Sequence, residues 1–271
     1  AAWAGDWAVL AGLYATAGLW LAALSAGVGT PWRGAAFVFL TAQVCYLFDR
    51  VKSSAGRLDP ADAAAQPERF MALAAHQRAA RAWVAIGLLG AAVIGWSVAW
   101  WLGLAPLAGA AAVWWYAGRP AGGRARPKDR PGAKAAMTAG AHGTLAGAVL
   151  VGMTAAGLLR AGLAVAMILG PLVFADAVVC DLDDLETDRA FGTRSLPVSL
   201  GVPAAWAVAV TGWGVSAGGA WALSPRAGAA AYGVMLVLTG GLIAGARRRR
   251  DLVDARLPLV AAVWWLVNAA R

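Results

Sequence analysis

The sequence predicts an all-α integral membrane protein, a bundle of nine transmembrane helices that forms one domain over residues 1–271. The first observation is composition: 61% of the 271 residues are hydrophobic, only 14% are charged, and the mean hydropathy is +0.64. An average soluble domain has about 25% charged residues, and a soluble chain of this length could not hide so much apolar surface from water. The second observation is that apolar stretches near membrane-spanning length recur along the whole chain.

Nine apolar stretches are the candidates for these helices. A bilayer core needs about 20 apolar residues in a helix, and the second and fourth stretches reach that length only with residues from their flanks. The first stretch lacks the basic segment that begins a signal peptide, so we interpret it as a span. The stretches cover residues 7–29, 33–48, 79–101, 103–118, 135–157, 161–180, 196–222, 227–246 and 256–270.

The basic residues are sorted by connection. The connections after spans two, four, six and eight carry 6, 6, 2 and 5 Lys and Arg residues when Arg81 and Arg256, at the start of the following spans, are counted with them, which is 19 of the 23 in the chain. By the positive-inside rule this face is cytoplasmic, so we expect a multi-pass protein of the inner (cytoplasmic) membrane with its N-terminus inside and its C-terminus outside. The net charge of +9 then reflects topology and attraction to anionic membrane lipids, and no nucleic acid partner is expected. We interpret Arg247–Arg250 as a polybasic stop.

The connection after the sixth span is acidic and has helical spacing. If the helix continues past the span, Asp181, Asp184 and Asp188 lie at i, i+3 and i+7, within about 60° of one another. Asp183 points away from this stripe and is left out. Three carboxylates this close would repel each other unless a divalent cation lies between them, and Mg²⁺ combines carboxylate ligands with phosphate and water oxygens. The alternative is a solvated acidic loop.

The pattern from Asp181 to Gly201 extends beyond the acidic residues. It is D-x-x-D-x-x-x-D-R-x-x-G-x-x-S-L-P-V-x-L-G, and it resembles the second Asp-rich motif of the UbiA superfamily of intramembrane prenyltransferases. Nine spans, an internal N-terminus and an external C-terminus are also expected from that family, so the resemblance covers essentially the whole chain. It implies a bundle around a central cavity, with caps formed by the cytoplasmic loops.

The first Asp-rich motif of the family is only partly present. The family's N-x-x-x-D-x-x-x-D falls on Cys45, Asp49 and Ser53. Only the central Asp49 is retained, with Arg50 beside it. Either Asp59 or Asp62 in the lengthened connection could supply the missing carboxylate, and the alternative is that both are solvated residues of a proline turn. The first metal position is therefore open.

The basic connection at 119–134 is similar to the tyrosine and lysine/arginine segment that relatives place against a diphosphate. Such cations donate charge-assisted hydrogen bonds to phosphate oxygens, although the positive-inside rule explains the same cations without a ligand. The resemblance implies that the residues contacting a diphosphate are Arg50, Tyr116, Arg119, Arg126, Lys128, Lys134 and Arg194.

The resemblance implies a Mg²⁺-dependent intramembrane prenyltransferase, which moves an isoprenyl group from a prenyl diphosphate to a lipophilic acceptor, expected to be aromatic. Two alternatives stay open. One is a terpene cyclase of the same superfamily, and the other is a non-catalytic membrane carrier that uses the buried Asp176 as an ion or proton site. The implied metal ligands, which are also the implied catalytic residues, are Asp49, Asp181, Asp184 and Asp188.

Overall fold

The computed structural model is helical along the residues that it describes, which are 7–29, 32–54, 64, 67–117, 126–153, 158–224, 226–246 and 249–269. These ranges contain no β-strand, so the all-α prediction is confirmed for them. A π-helical segment, Val165–Leu169, interrupts the long helix Leu158–Asp183. The helices in chain order are α1 Val9–Ala26, α2 Trp32–Ser54, α3 Pro67–Ala75, α4 Gln77–Val98, α5 Ala105–Ala117, α6 Ala133–Met153, α7 Leu158–Asp183, α8 Leu185–Phe191, α9 Leu196–Leu200, α10 Val202–Leu223, α11 Arg226–Gly245 and α12 Arg249–Ala269.

In the part of the chain that the structure describes, six helices are long and apolar enough to cross a membrane, and they make the chain a multi-pass membrane protein. They are α1, α2, α4, α6, α7 and α11. Helix α5 has only 13 residues, α10 is rich in Gly and Trp, and α12 carries Arg and Asp residues in its first turns. Within the described ranges each of the nine predicted stretches contains a helix, but nine crossings remains a prediction.

The outer surface of the bundle is apolar. Large hydrophobic side chains such as Ile86, Leu89, Leu159 and Val237 are well exposed. In water such a surface would drive association, whereas in a bilayer it faces hydrocarbon of the same polarity while each helix satisfies its own backbone hydrogen bonds. The exposed apolar surface is therefore that of a protein surrounded by lipid.

Helix α7 packs against α6, α10 and α12. Glycines bring α10 close to it: a Cβ atom at Gly219 would lie 2.6 Å from the carbonyl oxygen of Met167, and one at Gly212 would lie 2.9 Å from that of Pro171. Close backbone approach of this kind is a main source of helix association in lipid, where no hydrophobic effect drives it. This packing holds α7 in place, and with it the acidic residues at the C-terminal end of α7.

The charged connections meet at one end of the bundle. Lys134, at the start of α6, and Arg250, at the start of α12, both contact Asp184, which follows α7. At the opposite end, Arg160 in the first turn of α7 donates a hydrogen bond to the carbonyl of Leu223, the last residue of α10. The connections after the predicted spans four, six and eight therefore share one end, as an even number of crossings between them requires.

Cysteine labelling tests which end faces the cytoplasm. In a background with Cys45→Ala and Cys180→Ala, we expect Ala190→Cys to react with a membrane-impermeant maleimide only after cells are permeabilised, and Gly29→Cys to react in intact cells. Both positions are exposed, and a Cβ at Gly29 would meet no atom within 4 Å. Five predicted spans separate them, so they should lie on opposite faces. Labelling of both from the same side would contradict the span count, and the reverse order would contradict the orientation.

Candidate functional site

The acidic segment, residues 181–188, consists of the end of α7, a turn at Asp184 and the first part of α8. Asp184 follows the last residue of α7 with φ −94° and ψ 2°, and α8 begins at Leu185 and ends before Gly192, which has φ 77°. The helical spacing of Asp181, Asp184 and Asp188 is conditional on a helix that continues through Asp188, and the turn at Asp184 interrupts that helix. The turn at Asp184 directs the side chains of Asp183 and Asp184 to different partners.

Three carboxylates of this segment surround one ammonium group. Lys134 Nζ lies 2.9 Å from Asp181 Oδ1, 2.9 Å from Asp184 Oδ2 and 3.5 Å from Asp188 Oδ2. The group is well shielded from solvent, since Asp181 is only 2% exposed. The structure thus brings the three carboxylates of the acidic segment together with Lys134, one of the expected phosphate-binding residues. We call these four residues the acidic cluster.

The start of α12 is the other partner of the segment. Arg250 Nη2 donates to Asp184 Oδ2 over 2.6 Å, and Arg249 Nη1 donates to Asp183 Oδ1 over 2.9 Å. The prediction that Arg247–Arg250 is a polybasic stop did not include these contacts. Sequence spacing gave no signal for them, because 66 residues separate each pair.

The balance of burial and ion pairing shifts the pKa values of Asp184 and Asp188 in opposite directions. Burial by itself would raise the pKa of Asp184, but the charges of Lys134 and Arg250 outweigh it, so the pKa is lowered. For Asp188 burial prevails over the attraction of Lys134, and its pKa is raised. Three carboxylates thus face two cations, Lys134 and Arg250, which leaves a net negative charge. A further cation would offset that charge.

Two oxygens of the acidic cluster are candidates for metal ligation. Asp181 Oδ2 is buried and accepts no hydrogen bond from a described residue, which is costly without another partner. Asp188 Oδ2 is also buried, and Lys134 Nζ approaches it only to 3.5 Å. Carboxylate oxygens are the donors that Mg²⁺ prefers, so the chemistry of this set fits that ion. Within the described ranges, no group of three or more His, Cys, Asp or Glu side chains has the arrangement of a formed metal site, and Lys134 occupies the space between the carboxylates.

The retained residue of the first motif lies at the same end. Asp49 interacts electrostatically with Tyr46 and Tyr116, and Tyr116 interacts in turn with Lys134 and Asp181. Tyr116 and Asp49 are therefore neighbours of the acidic cluster, although the structure gives neither a direct bond to it.

The structure describes only some of the other positions in and around the first motif. The Cys45 thiol approaches the carbonyl oxygen of Pro106, 3.9 Å away, and so faces α5. Arg50 interacts electrostatically with Tyr46. The side chain of Ser53, and all of Asp59 and Asp62, lie outside the described residues, so whether either acid replaces the lost carboxylate stays a prediction.

Asp129 joins two of the connections. Its carboxylate accepts hydrogen bonds from the backbone and guanidinium of Arg126, at 2.9–3.0 Å, and from the Thr193 hydroxyl at 3.2 Å. Its carbonyl accepts a bond from the Arg194 backbone N–H at 3.3 Å. The hydrogen bonds from Arg126 outweigh burial and lower the pKa of Asp129. Asp129 thus holds the connection before α6 against the one after α8.

Two further expected phosphate-binding residues, Lys128 and Arg194, have no ion pair with the acidic cluster among the described residues. The side chain of Arg194 is exposed, and Lys128 is buried in the short turn between Arg126 and Asp129. Arg119 lies outside the described residues. Of the seven residues implied by the resemblance, only Lys134 directly contacts the three carboxylates in the described part of the chain.

A second charged group lies deeper in the bundle. Asp176 in α7 and Arg256 in α12 are each 2% exposed and pair at 2.8 Å. The Tyr14 hydroxyl donates to Asp176 Oδ2 at 2.8 Å, and Trp213 Nε1 donates to Oδ1 at 2.9 Å. Both carboxylate oxygens therefore have donors, which leaves the carrier alternative without a vacant oxygen at this residue.

Sequence reasoning missed the partner of Asp176. Arg256 had been counted with the basic connection after span eight, whereas the structure buries it within the bundle, where it also donates to the Leu236 carbonyl at 3.0 Å and lies 4.1 Å over the Trp213 ring. A signal was present, because an acidic residue inside a predicted span requires a partner.

Comparison with known proteins gives one informative result. No protein-family model matches the chain, and no curated protein matches its sequence. Among solved structures, the fold matches the apo structure of a UbiA homolog from Aeropyrum pernix K1 with a TM-score of 0.66 and 15% identity, over 96% of this chain and 98% of that one. The fold of this chain is therefore that of a UbiA homolog, and the resemblance predicted from the Asp181–Gly201 pattern is confirmed at the level of the fold.

Proposed function

We propose that the chain is a UbiA-type intramembrane prenyltransferase, which transfers an isoprenyl group from a prenyl diphosphate to a lipophilic, aromatic acceptor in the presence of Mg²⁺. One observation carries this proposal: three carboxylates and a lysine converge at one end of an apolar, UbiA-like bundle. A ligand with a charged diphosphate head and an apolar tail matches both parts of that arrangement.

Different residues of the chain have different chemical roles in the proposed reaction. Lys134 donates charge-assisted hydrogen bonds to phosphate oxygens, and its charge stabilises the leaving group as the carbon–oxygen bond breaks. Tyr116, which interacts electrostatically with Lys134 and Asp181, would donate a further hydrogen bond to the diphosphate. Mg²⁺, held by Asp181, Asp184 and Asp188 with Asp49, would supply positive charge against the diphosphate. The apolar bundle excludes water, which would otherwise capture the allylic cation.

An apolar groove supports a hydrocarbon substrate. It has a volume of about 780 Å³ and lies between α6, α7 and α10. Its lining includes small residues of α6 and α10, with Phe174 on α7, and it reaches Ala136 in the first turn of α6, the turn that carries Lys134. Small apolar side chains leave room for an isoprenoid chain and offer it no polar competitor. We assign the groove to the isoprenyl tail.

Product analysis tests the proposed function. Purified protein is incubated with Mg²⁺ and a series of prenyl diphosphates, with and without a lipid extract as the source of acceptor, and diphosphate release and product masses are measured. We expect release that depends on the extract, that is lost with EDTA and that is restored by Mg²⁺. Release of a hydrocarbon without an acceptor would indicate the cyclase instead, and no release from any prenyl diphosphate would contradict both enzymatic functions.

A further inference from the structure

We propose that Arg250 is a second diphosphate-binding cation. Without a ligand, Arg250 and Lys134 are both paired with Asp184. This assignment rests on the proposed function, and it adds a residue from the start of α12 that the resemblance did not indicate. Asp184 Oδ2 accepts from Arg250 Nη2 at 2.6 Å and from Lys134 Nζ at 2.9 Å. Two cations from different helices thus share a single carboxylate oxygen.

The two cations lie close together on the shared oxygen. Arg250 and Lys134 repel each other at this distance, and an anion that accepts from both would remove that repulsion. Lys134 has further partners in Asp181 and Asp188, whereas the described ion pair of Arg250 is the one with Asp184. A diphosphate presents several anionic oxygens and could accept from both cations at once, with Arg250 offering a planar fork that suits phosphate.

The start of α12 is anchored independently of the Arg250 side chain. The backbone N–H groups of Arg249 and Arg250 donate to Asp183 Oδ2 at 2.8 and 3.1 Å, and Arg249 Nη1 donates to Asp183 Oδ1 at 2.9 Å. A carboxylate at this position caps the exposed N–H groups of the helix. The Arg250 side chain, 23% exposed, can therefore exchange Asp184 for a ligand while the backbone of α12 stays in place.

Metal binding and cation release are coupled through Asp184. A divalent cation that uses Asp184 Oδ2 competes with Arg250 and Lys134 for that oxygen, because a carboxylate oxygen engaged by a metal is a weaker acceptor for either cation. Both cations then face whatever anion lies beside the metal. Removing the Arg250 charge should consequently have opposite effects on the two ligands: the metal alone should bind more tightly, and the diphosphate should bind more weakly.

The test compares Arg250→Gln and Arg250→Lys with the wild-type chain in detergent, with Arg189→Gln as the matched control, since Arg189 is an exposed arginine directly after the acidic segment. Binding of inorganic pyrophosphate at saturating Mg²⁺ is measured by calorimetry. We expect Arg250→Gln to raise the dissociation constant about tenfold to a hundredfold, as the loss of a charge-assisted hydrogen bond implies. Arg250→Lys should have a smaller effect, and Arg189→Gln should leave the constant unchanged.

A second measurement separates ligand binding from a structural role. Mn²⁺ replaces Mg²⁺ in the absence of pyrophosphate, and its binding is followed by electron paramagnetic resonance. We expect Arg250→Gln to bind Mn²⁺ several-fold more tightly than the wild type, because a competing positive charge is gone. A general loss of structure would weaken both ligands, so it cannot produce this pair of opposite shifts.

The outcomes distinguish the two proposals. If the wild-type chain binds no pyrophosphate at any Mg²⁺ concentration, the proposed function fails. If the wild type binds it and Arg250→Gln binds it equally well, the assignment of Arg250 is wrong while the proposed function stands. If pyrophosphate binding weakens but Mn²⁺ affinity does not rise, the pairing of Arg250 with Asp184 is overturned.

Discussion

Replacing Asp181 by Asn is expected to slow diphosphate release by two to three orders of magnitude, roughly the effect of removing one preorganised electrostatic group from an active site. Asp181 is buried, pairs with Lys134 through one oxygen and leaves the other oxygen without a donor among the described residues. Asparagine keeps the shape and removes the charge, so a metal ion held there would lose an anionic ligand while the helix keeps its packing. The initial rate at saturating Mg²⁺ and prenyl diphosphate measures the effect.

Asp183→Asn is the matched control for this variant. Asp183 belongs to the same segment, but its carboxylate contacts Arg249 and the start of α12 and does not contact Lys134. We expect it to retain at least about a third of the wild-type rate, since it removes a partly exposed ion pair worth little. Size-exclusion profiles should show both variants folded. An Asp181→Asn protein as active as Asp183→Asn would refute the role of Asp181 as a metal ligand.

Replacing Arg256 by Met should lower the free energy of unfolding by about 3–5 kcal/mol, the usual cost of leaving one member of a buried ion pair without its partner. Asp176 would keep its charge with only Tyr14 and Trp213 as donors, in a bundle where water cannot reach it. The loss includes the contact of the guanidinium with the Trp213 ring. Unfolding in detergent, followed by Trp fluorescence as denaturant is added, measures the change.

Combining Asp176→Asn with Arg256→Met should restore much of the stability that the single change removes. The amide of asparagine carries no charge. Its oxygen can accept from Trp213 and its NH2 group can donate to the Tyr14 hydroxyl, so the double variant leaves no uncompensated ion. Arg226→Met, at an exposed residue of α11, is the control and should change stability by no more than about 0.5 kcal/mol. A single Arg256→Met variant as stable as this control would show that the pair does not hold α7 and α12 together.

Properties that depend on composition and local spacing could be predicted from the sequence. Apolar stretches predicted a helical membrane protein, because a backbone in lipid must satisfy its own hydrogen bonds and a helix does so locally. The Asp181–Gly201 pattern predicted the UbiA-like fold, and the sorting of charges predicted that the connections after spans four, six and eight share one end of the bundle. Each of these follows from neighbours in sequence or from the parity of the crossings, without any knowledge of how the helices pack.

The partners of the charged residues were decided by the tertiary structure alone. Lys134, Arg250 and Arg256 each meet an aspartate that lies 47 to 80 residues away, and no local pattern encodes such distances. Which cation reaches which carboxylate depends on the order in which helices pack, on the turn at Asp184 and on the glycines that let α10 approach α7. Charge pairing in a bilayer is strong because the surrounding dielectric is low. Helix packing, rather than position in the sequence, therefore determined which residues form the acidic cluster and the Asp176–Arg256 pair.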